Sequence, residues 1–107
     1  MGTSRIEVFE QMLESDPDNT LVLFGLAKEY EKAARHADVV ATLTKYLQLF
    51  NDEGNAYGML AQAHEQLGNR DAARAAYQRG IEVATAHGHP SMAEDYRMTL
   101  ENDYEEN

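Results

Sequence analysis

Shifted against itself by 34 residues, the sequence superposes one pattern of apolar and small side chains on another. Residues 54–87 carry it most clearly. Tyr57, Leu60, Ala61, Gly68, Ala73, Tyr77 and Gly80 fall in two stripes of helical spacing, broken by a turn at Leu67-Gly68-Asn69. One step back, Leu23, Leu26, Ala27 and Tyr30 lie under Tyr57, Leu60, Ala61 and His64, while Val39, Leu43 and Leu47 lie under Ala73, Tyr77 and Ile81. A second step brings Phe9 and Leu13 under Leu43 and Leu47. Few of these matches are identities; the agreement is in size and polarity. Such a period constrains the chain to stacked copies of one supersecondary unit, each burying its stripes against a like neighbour.

The residue types fit that packing. Ala27 and Ala61 are small where the two helices of a hairpin cross closely. Larger side chains at Leu23 and Tyr57, and at Leu43 and Tyr77, fill the space around each crossing. Gly68 is placed to take a positive φ at the turn without steric cost.

The order aromatic, Leu-Ala, Gly, Ala, Tyr and a small residue resembles the tetratricopeptide (TPR) repeat, a helix-turn-helix unit with this period. The resemblance implies an all-α fold, an α-solenoid of antiparallel helix hairpins. Ala34 stands where the family usually has the turn glycine, Asn51 and Thr85 where it has proline, Tyr46 where it prefers alanine and His64 where it has tyrosine. The first full repeat is therefore the weaker match.

In chain order, Ser4 and Glu7 form a capping-box pattern ahead of Ile6, Phe9, Met12 and Leu13, and Asp16-Pro17-Asp18-Asn19 ends that helix. After His87-Gly88-His89, either Pro90 occupies the first turn of a last helix or Ser91 caps it with Glu94. Met92, Ala93, Tyr96, Leu100 and Tyr104 make its stripe, but the register fails there, because Glu94 and Asp95 would fall on the Leu-Ala core positions. The organisation expected is a single domain over 1–107: a half repeat at 4–19, repeats at 20–53 and 54–87, and a capping helix at 88–104. Six helices are predicted near 4–15, 20–33, 36–49, 53–67, 70–87 and 90–103, with a fraying tail from Asp103 onward.

The net charge of −10 is concentrated at the ends, −4 over residues 1–19 and −5 over 88–107, which suits the solvated outer faces of a repeat array. Clustered Lys and Arg are absent, so nucleic-acid binding is not expected. The absence of cysteine excludes disulfides, thiol catalysis and thiolate metal sites. No apolar run is long enough to span a membrane, and the start MGTSRIEVFEQ lacks a signal-peptide pattern, so a cytoplasmic location is expected.

Catalytic chemistry finds no constellation. His87 and His89 flank a glycine without a third ligand at helical spacing, and they read as a solvated turn. His64-Glu65 lacks the second histidine of a zinc-protease helix. The acidic run from Asp103 to Glu106 lacks the spacing of a calcium loop. No enzyme activity, metal or cofactor is expected.

What remains is the concave groove, which in the TPR family is lined by the first helix of each hairpin. The resemblance assigns to it Leu21, Phe24, Lys28, Glu31 and Lys32 from the first repeat. From the second it assigns Asn55, Gly58, Met59, Gln62, Glu65 and Gln66. Phe24 lies off the core stripe and reads as an apolar anchor for a peptide. The carboxylate-binding pattern of co-chaperone TPRs is not matched, since Phe24, Lys28 and Met59 fill its first positions. The expected function is a scaffold or adaptor that binds a protein or peptide partner. The alternative is self-association as a homodimer through Ile6, Val8, Phe9 and Met12 of the first helix.

Overall fold

The computed structural model describes residues 4–105. Six helices account for most of them: α1 Arg5–Ser15, α2 Thr20–Lys32, α3 His36–Leu49, α4 Asn55–Gln66, α5 Arg70–Ala86 and α6 Pro90–Asp103. No strand occurs among the described residues. Number, type and order are those the periodicity predicts, and every helix end falls within two residues of its predicted place. Glu106 and Asn107, at the end of the acidic tail, lie outside the described residues. By its internal packing the chain divides into two compact units between Asn51 and Asp52.

The first unit packs α1 on α2 and α2 on α3. Ser4 caps α1 by accepting the Glu7 N–H at 3.2 Å. The Asp16-Pro17-Asp18-Asn19 turn does more than stop α1. Asn19 accepts the Val22 N–H at 3.1 Å and so starts α2, while its own amide donates to the Asp16 carboxylate at 3.1 Å. The inward stripes meet as expected: Leu23, Leu26, Ala27 and Tyr30 of α2 are buried, as are Val39, Leu43 and Tyr46 of α3. Each such large aliphatic side chain contributes roughly 1.5–3 kcal/mol by leaving water.

α1 is held more lightly, and none of its residues is buried. Phe9 lies over Gly25, in van der Waals reach of where a Cβ would stand (3.4 Å). The Tyr30 hydroxyl donates to Glu10 at 2.6 Å and ties α2 back to α1. Met12 does not share this face. It is 44% exposed, because helical geometry turns it toward Val8 on the outer side.

The second unit packs α4 on α5 and α5 on α6. Asp52 opens it: one carboxylate oxygen accepts the N–H groups of Gly54 and Ala56, both at 2.9 Å. Its interior is built from small residues, with Ala61, Ala73 and Ala76 buried around Tyr77 and Tyr104, and Leu60, Tyr96 and Leu100 packed against them. Pro90 is the first residue of α6 and His89 precedes it as the N-cap, so proline in the first turn, rather than a Ser91 cap, starts this helix.

The chain end departs from the sequence expectation. Tyr104 is buried rather than frayed, and its hydroxyl donates to Glu65 at 2.7 Å. The guanidinium groups of Arg70 and Arg74 lie 4.3 and 5.7 Å from its ring centroid, and both donate to main-chain carbonyls there, at Asp103 and Tyr104. Cation–π contact and charged donors to the last carbonyls anchor what composition alone reads as a solvated tail.

Candidate functional site

The residues assigned to a groove from the first repeat lie on α2. Leu21 is 83% exposed, an apolar side chain left almost wholly in water. Phe24 is half-buried, with its ring 5.2 Å from that of Tyr46 on α3. Tyr46 in turn stacks on Phe50, at 5.4 Å. Together with Thr20, these residues line a cavity of about 120 Å³ that is open to solvent. The ammonium of Lys28 sits 5.5 Å from the centroid of the Phe24 ring. Lys28 enters no ion pair among the described residues, whereas Lys32 is paired with Glu29 at 3.3 Å. Glu31 is exposed on the same helix.

Of the residues lining this cavity, Leu21 and Phe24 are among those the sequence assigns to a groove, and Tyr46 and Phe50 are not. A signal was present at Tyr46, a bulky residue where the family prefers alanine. A large ring at a position meant for a small one, itself buried, packs against Phe24 of the adjacent helix and lines the cavity beside it. Phe50 ends α3 as its C-cap and follows the Tyr46 stripe by one turn.

The residues assigned from the second repeat lie on α4 and are arranged differently. Asn55, Gln62 and Gln66 are exposed and Met59 is half-buried. Gly58 is buried and presents nothing to solvent. A Cβ there would stand 2.5 Å from the Tyr96 hydroxyl oxygen and 2.7 Å from its ring. Gly80 of α5 is covered by the same ring, at 2.9 Å. Tyr96 of α6 thus lies in a socket made by two glycines, and its hydroxyl donates to the Gly54 carbonyl at 2.9 Å. Met92, one turn earlier, meets the position of a Gly54 Cβ at 2.7 Å, beside Ala84.

Glu65 is also engaged. One of its carboxylate oxygens accepts from Tyr77 at 3.2 Å and the other from Tyr104 at 2.7 Å. Burial, and then the Glu65 carboxylate, push the Tyr104 phenol up to about 12. Burial raises Tyr77 as well, with the same carboxylate adding to the effect. The 420 Å³ surface hollow between Glu65, Gly68, Arg70, Asp103 and Tyr104 is lined by residues that bond to one another, Tyr104 to Glu65 and Arg70 to Asp103, so it belongs to the anchoring of α6.

His89 and His87 do not act together. The Nε2 of His89 lies 2.6 Å from Glu53, and that contact, first of all, holds the Glu53 carboxyl below its ordinary range, while His87 is exposed. No group of three potential metal ligands occurs among the described residues. None of their helices is long and apolar enough to cross a membrane.

Comparison with known proteins agrees with this geometry. The family model of the tetratricopeptide repeat matches residues 54–87. Over 95 residues, 89% of this chain and 90% of the relative, the sequence is 30% identical to TPR repeat-containing protein PA0015 of Pseudomonas aeruginosa. Among solved structures, protein BPP2914 from Bordetella parapertussis superposes with a TM-score of 0.79 at 24% identity, covering 94% of this chain and 88% of that one. MamA superposes with a TM-score of 0.70 at 24% identity, covering 92% of this chain and 66% of MamA. At these identities the two structures speak for the fold alone.

Proposed function

This chain belongs to the tetratricopeptide repeat family, and from that premise we propose that it is a cytoplasmic adaptor that holds a partner's peptide segment on the apolar surface of its first unit. One observation carries the reading. Leu21, 83% exposed, lines a cavity together with Thr20, Phe24, Tyr46 and Phe50. An apolar side chain held in water beside a preformed apolar cavity gains most from a partner that covers both. The family is one of protein-interaction modules.

The affinity comes from apolar burial, at about 25 cal/mol per Å² before ordering costs. Lys28, Glu31 and Lys32 fix direction more than strength. The test is titration of the full chain with two peptides at low and high salt. One carries one or two apolar anchors; the other is acidic and carboxylate-terminated without them. The apolar peptide is expected to bind with weak salt dependence. Leu21→Gln, which disturbs no buried contact, is expected to weaken it about tenfold, the scale of one lost anchor. Salt-sensitive binding of the acidic peptide that survives both Leu21→Gln and Phe24→Ala overturns the reading.

A second reading, self-association, is favoured by Val8 and Met12, which are 41% and 44% exposed at neighbouring positions on α1. Ile6 and Phe9, half-buried, leave those two to carry it. Light scattering separates the readings. A monomer supports the adaptor, and a dimer lost on Met12→Glu supports assembly.

A further inference from the structure

The repeat register singles out one face of α1. Met12 stands one period before Tyr46 of α3 and two periods before Gly80 of α5. Both later positions are covered by the first helix of their own hairpin. The Tyr46 ring lies 5.2 Å from that of Phe24 on α2, and a Cβ on Gly80 would stand 3.1 Å from the Tyr57 Cβ on α4. Val8 corresponds in the same way to Thr42, half-buried, and to Ala76, buried. Each of these hairpins closes through a short turn, so the covering helix runs antiparallel to the covered one. On α1 the same face is open, with Val8 and Met12 41% and 44% exposed.

That face has a charge of opposite sign at each end. Arg5, Val8, Met12 and Asp16 follow one another at spacings of three, four and four, which puts them on one side of the helix. Asp16 is the C-cap, and its N–H still donates to the Met12 carbonyl at 3.1 Å. Both Arg5 and Asp16 are exposed. Glu7, Glu10 and Glu14 run along another side of α1, where Glu10 meets Tyr30 of α2. The acids that would repel a like helix are therefore kept off the open face.

We propose that the occupant of this face is α1 of a second copy, antiparallel about a two-fold axis; the proposal rests on the self-association reading above and specifies it. With Val8 set against Met12 of the second copy, the axis falls midway between them. At 1.5 Å per residue, Arg5 then lies about 7.5 Å and Asp16 about 9 Å from the axis, on opposite sides. Arg5 of each copy thus comes level with Asp16 of the other to about 1.5 Å, and the ion pair forms twice. A parallel arrangement would set Arg5 against Arg5 and Asp16 against Asp16. The order of charges selects the antiparallel pairing, which is also the sense in which both hairpins cover this face. The helix is 11 residues long, about 16 Å, too short a face for the roughly 1,200 Å² of a stable interface. The dimer is therefore weak, with a dissociation constant of about 0.1 mM or above. It uses none of the residues that line the cavity of the first unit.

The test is sedimentation equilibrium of the full chain at concentrations up to about 1 mM, well above that constant. The parent is expected to dimerise and Met12→Glu to abolish it. Arg5→Asp and Asp16→Arg each turn two attractions between copies into repulsions, and each alone is expected to weaken association about tenfold. Asp16→Arg is the decisive variant, because it makes the chain less acidic. If general repulsion between copies of charge −10 governed association, it would strengthen the dimer instead. An equimolar mixture of the two variants restores both ion pairs and is expected to associate more tightly than either alone, a result that a folding defect does not mimic. A dimer lost on Met12→Glu but unchanged or strengthened by Asp16→Arg, or not restored in the mixture, leaves self-association through α1 standing and overturns the antiparallel pairing. A chain that stays monomeric throughout, or a dimer that survives Met12→Glu, overturns both.

Discussion

The most informative single residue is one that departs from its family. Three of the turns between packed helices place one residue in the left-handed region: Ala34 at φ 58°, Gly68 at 78° and Gly88 at 77°. The hydrogen bonds are the same at each. Ala34 donates to Glu31 and the next N–H reaches back to Tyr30 (2.9 Å), as Gly68 and Asn69 donate to Glu65 and His64 (2.8 Å). The turn is thus fixed by its bonds, and alanine must adopt a conformation in which its Cβ crowds the following carbonyl oxygen. Ala34→Gly is expected to stabilise the protein by about 1 kcal/mol, the relief of that crowding less the greater entropy of an unfolded glycine. Gly68→Ala, with nothing within 4 Å of the added methyl, is expected to lose a similar amount from backbone strain alone. Urea unfolding of both variants checks this, and Ala34→Gly with no gain would mean that the turn is not the source of strain.

At the scale of elements, the stripes were legible because each is set within one helix by its own spacing. Ala27, Val39, Leu43, Ala61 and Ala73 are all fully buried, as the 34-residue register requires. Ala61→Leu is expected to force α4 from α5 and cost roughly 1–3 kcal/mol, against less than about 0.5 kcal/mol for exposed Gln62→Leu. Equal losses of melting temperature would show that the faces of α4 are wrongly assigned. What was not legible depends on partners distant in sequence. Gly58 reads as an open groove position, and only the Tyr96 ring pressed on it shows that its missing side chain is needed for packing. Glu65 reads as a polar surface residue until Tyr77 and Tyr104 are seen to converge on it. Asp52 carries no motif in the sequence, yet it satisfies two N–H groups at the start of α4. In the first unit Leu21 and Phe24 were placed on one helix by their register, while the cavity they line takes Tyr46 and Phe50 from another helix.

Across the whole molecule, the acidity of the chain reads as solvation of its ends, but some carboxylates have a structural partner in common: tyrosine. Glu10 accepts from Tyr30 in the first unit, and Glu65 from Tyr77 and Tyr104 in the second. These bonds join residues remote in sequence and need the phenol protonated. Burial first, and then the Glu10 carboxylate, push Tyr30 up to about 12, and burial with Glu65 does the same to Tyr104. Unfolded tyrosines titrate near 10. The folded state therefore holds these protons after the unfolded state has released them. The stability this gives is complete below about pH 10 and is lost as pH rises from there through about 12. A phenolate cannot donate, and it would face a carboxylate of like sign in a chain already carrying −10. The expected result is a urea midpoint that stays level from neutral pH to near 10 and then falls steeply, with native tyrosinate absorbance lagging behind that of the denatured chain. Tyr104→Phe removes one such proton. It is expected to cost about 1.5–3 kcal/mol at neutral pH, the range for hydrogen bonds to a charged group, and to make the alkaline fall shallower. Native phenols that all titrate near 10, with no change in the slope for Tyr104→Phe, would show that these tyrosine–carboxylate bonds do not hold the fold.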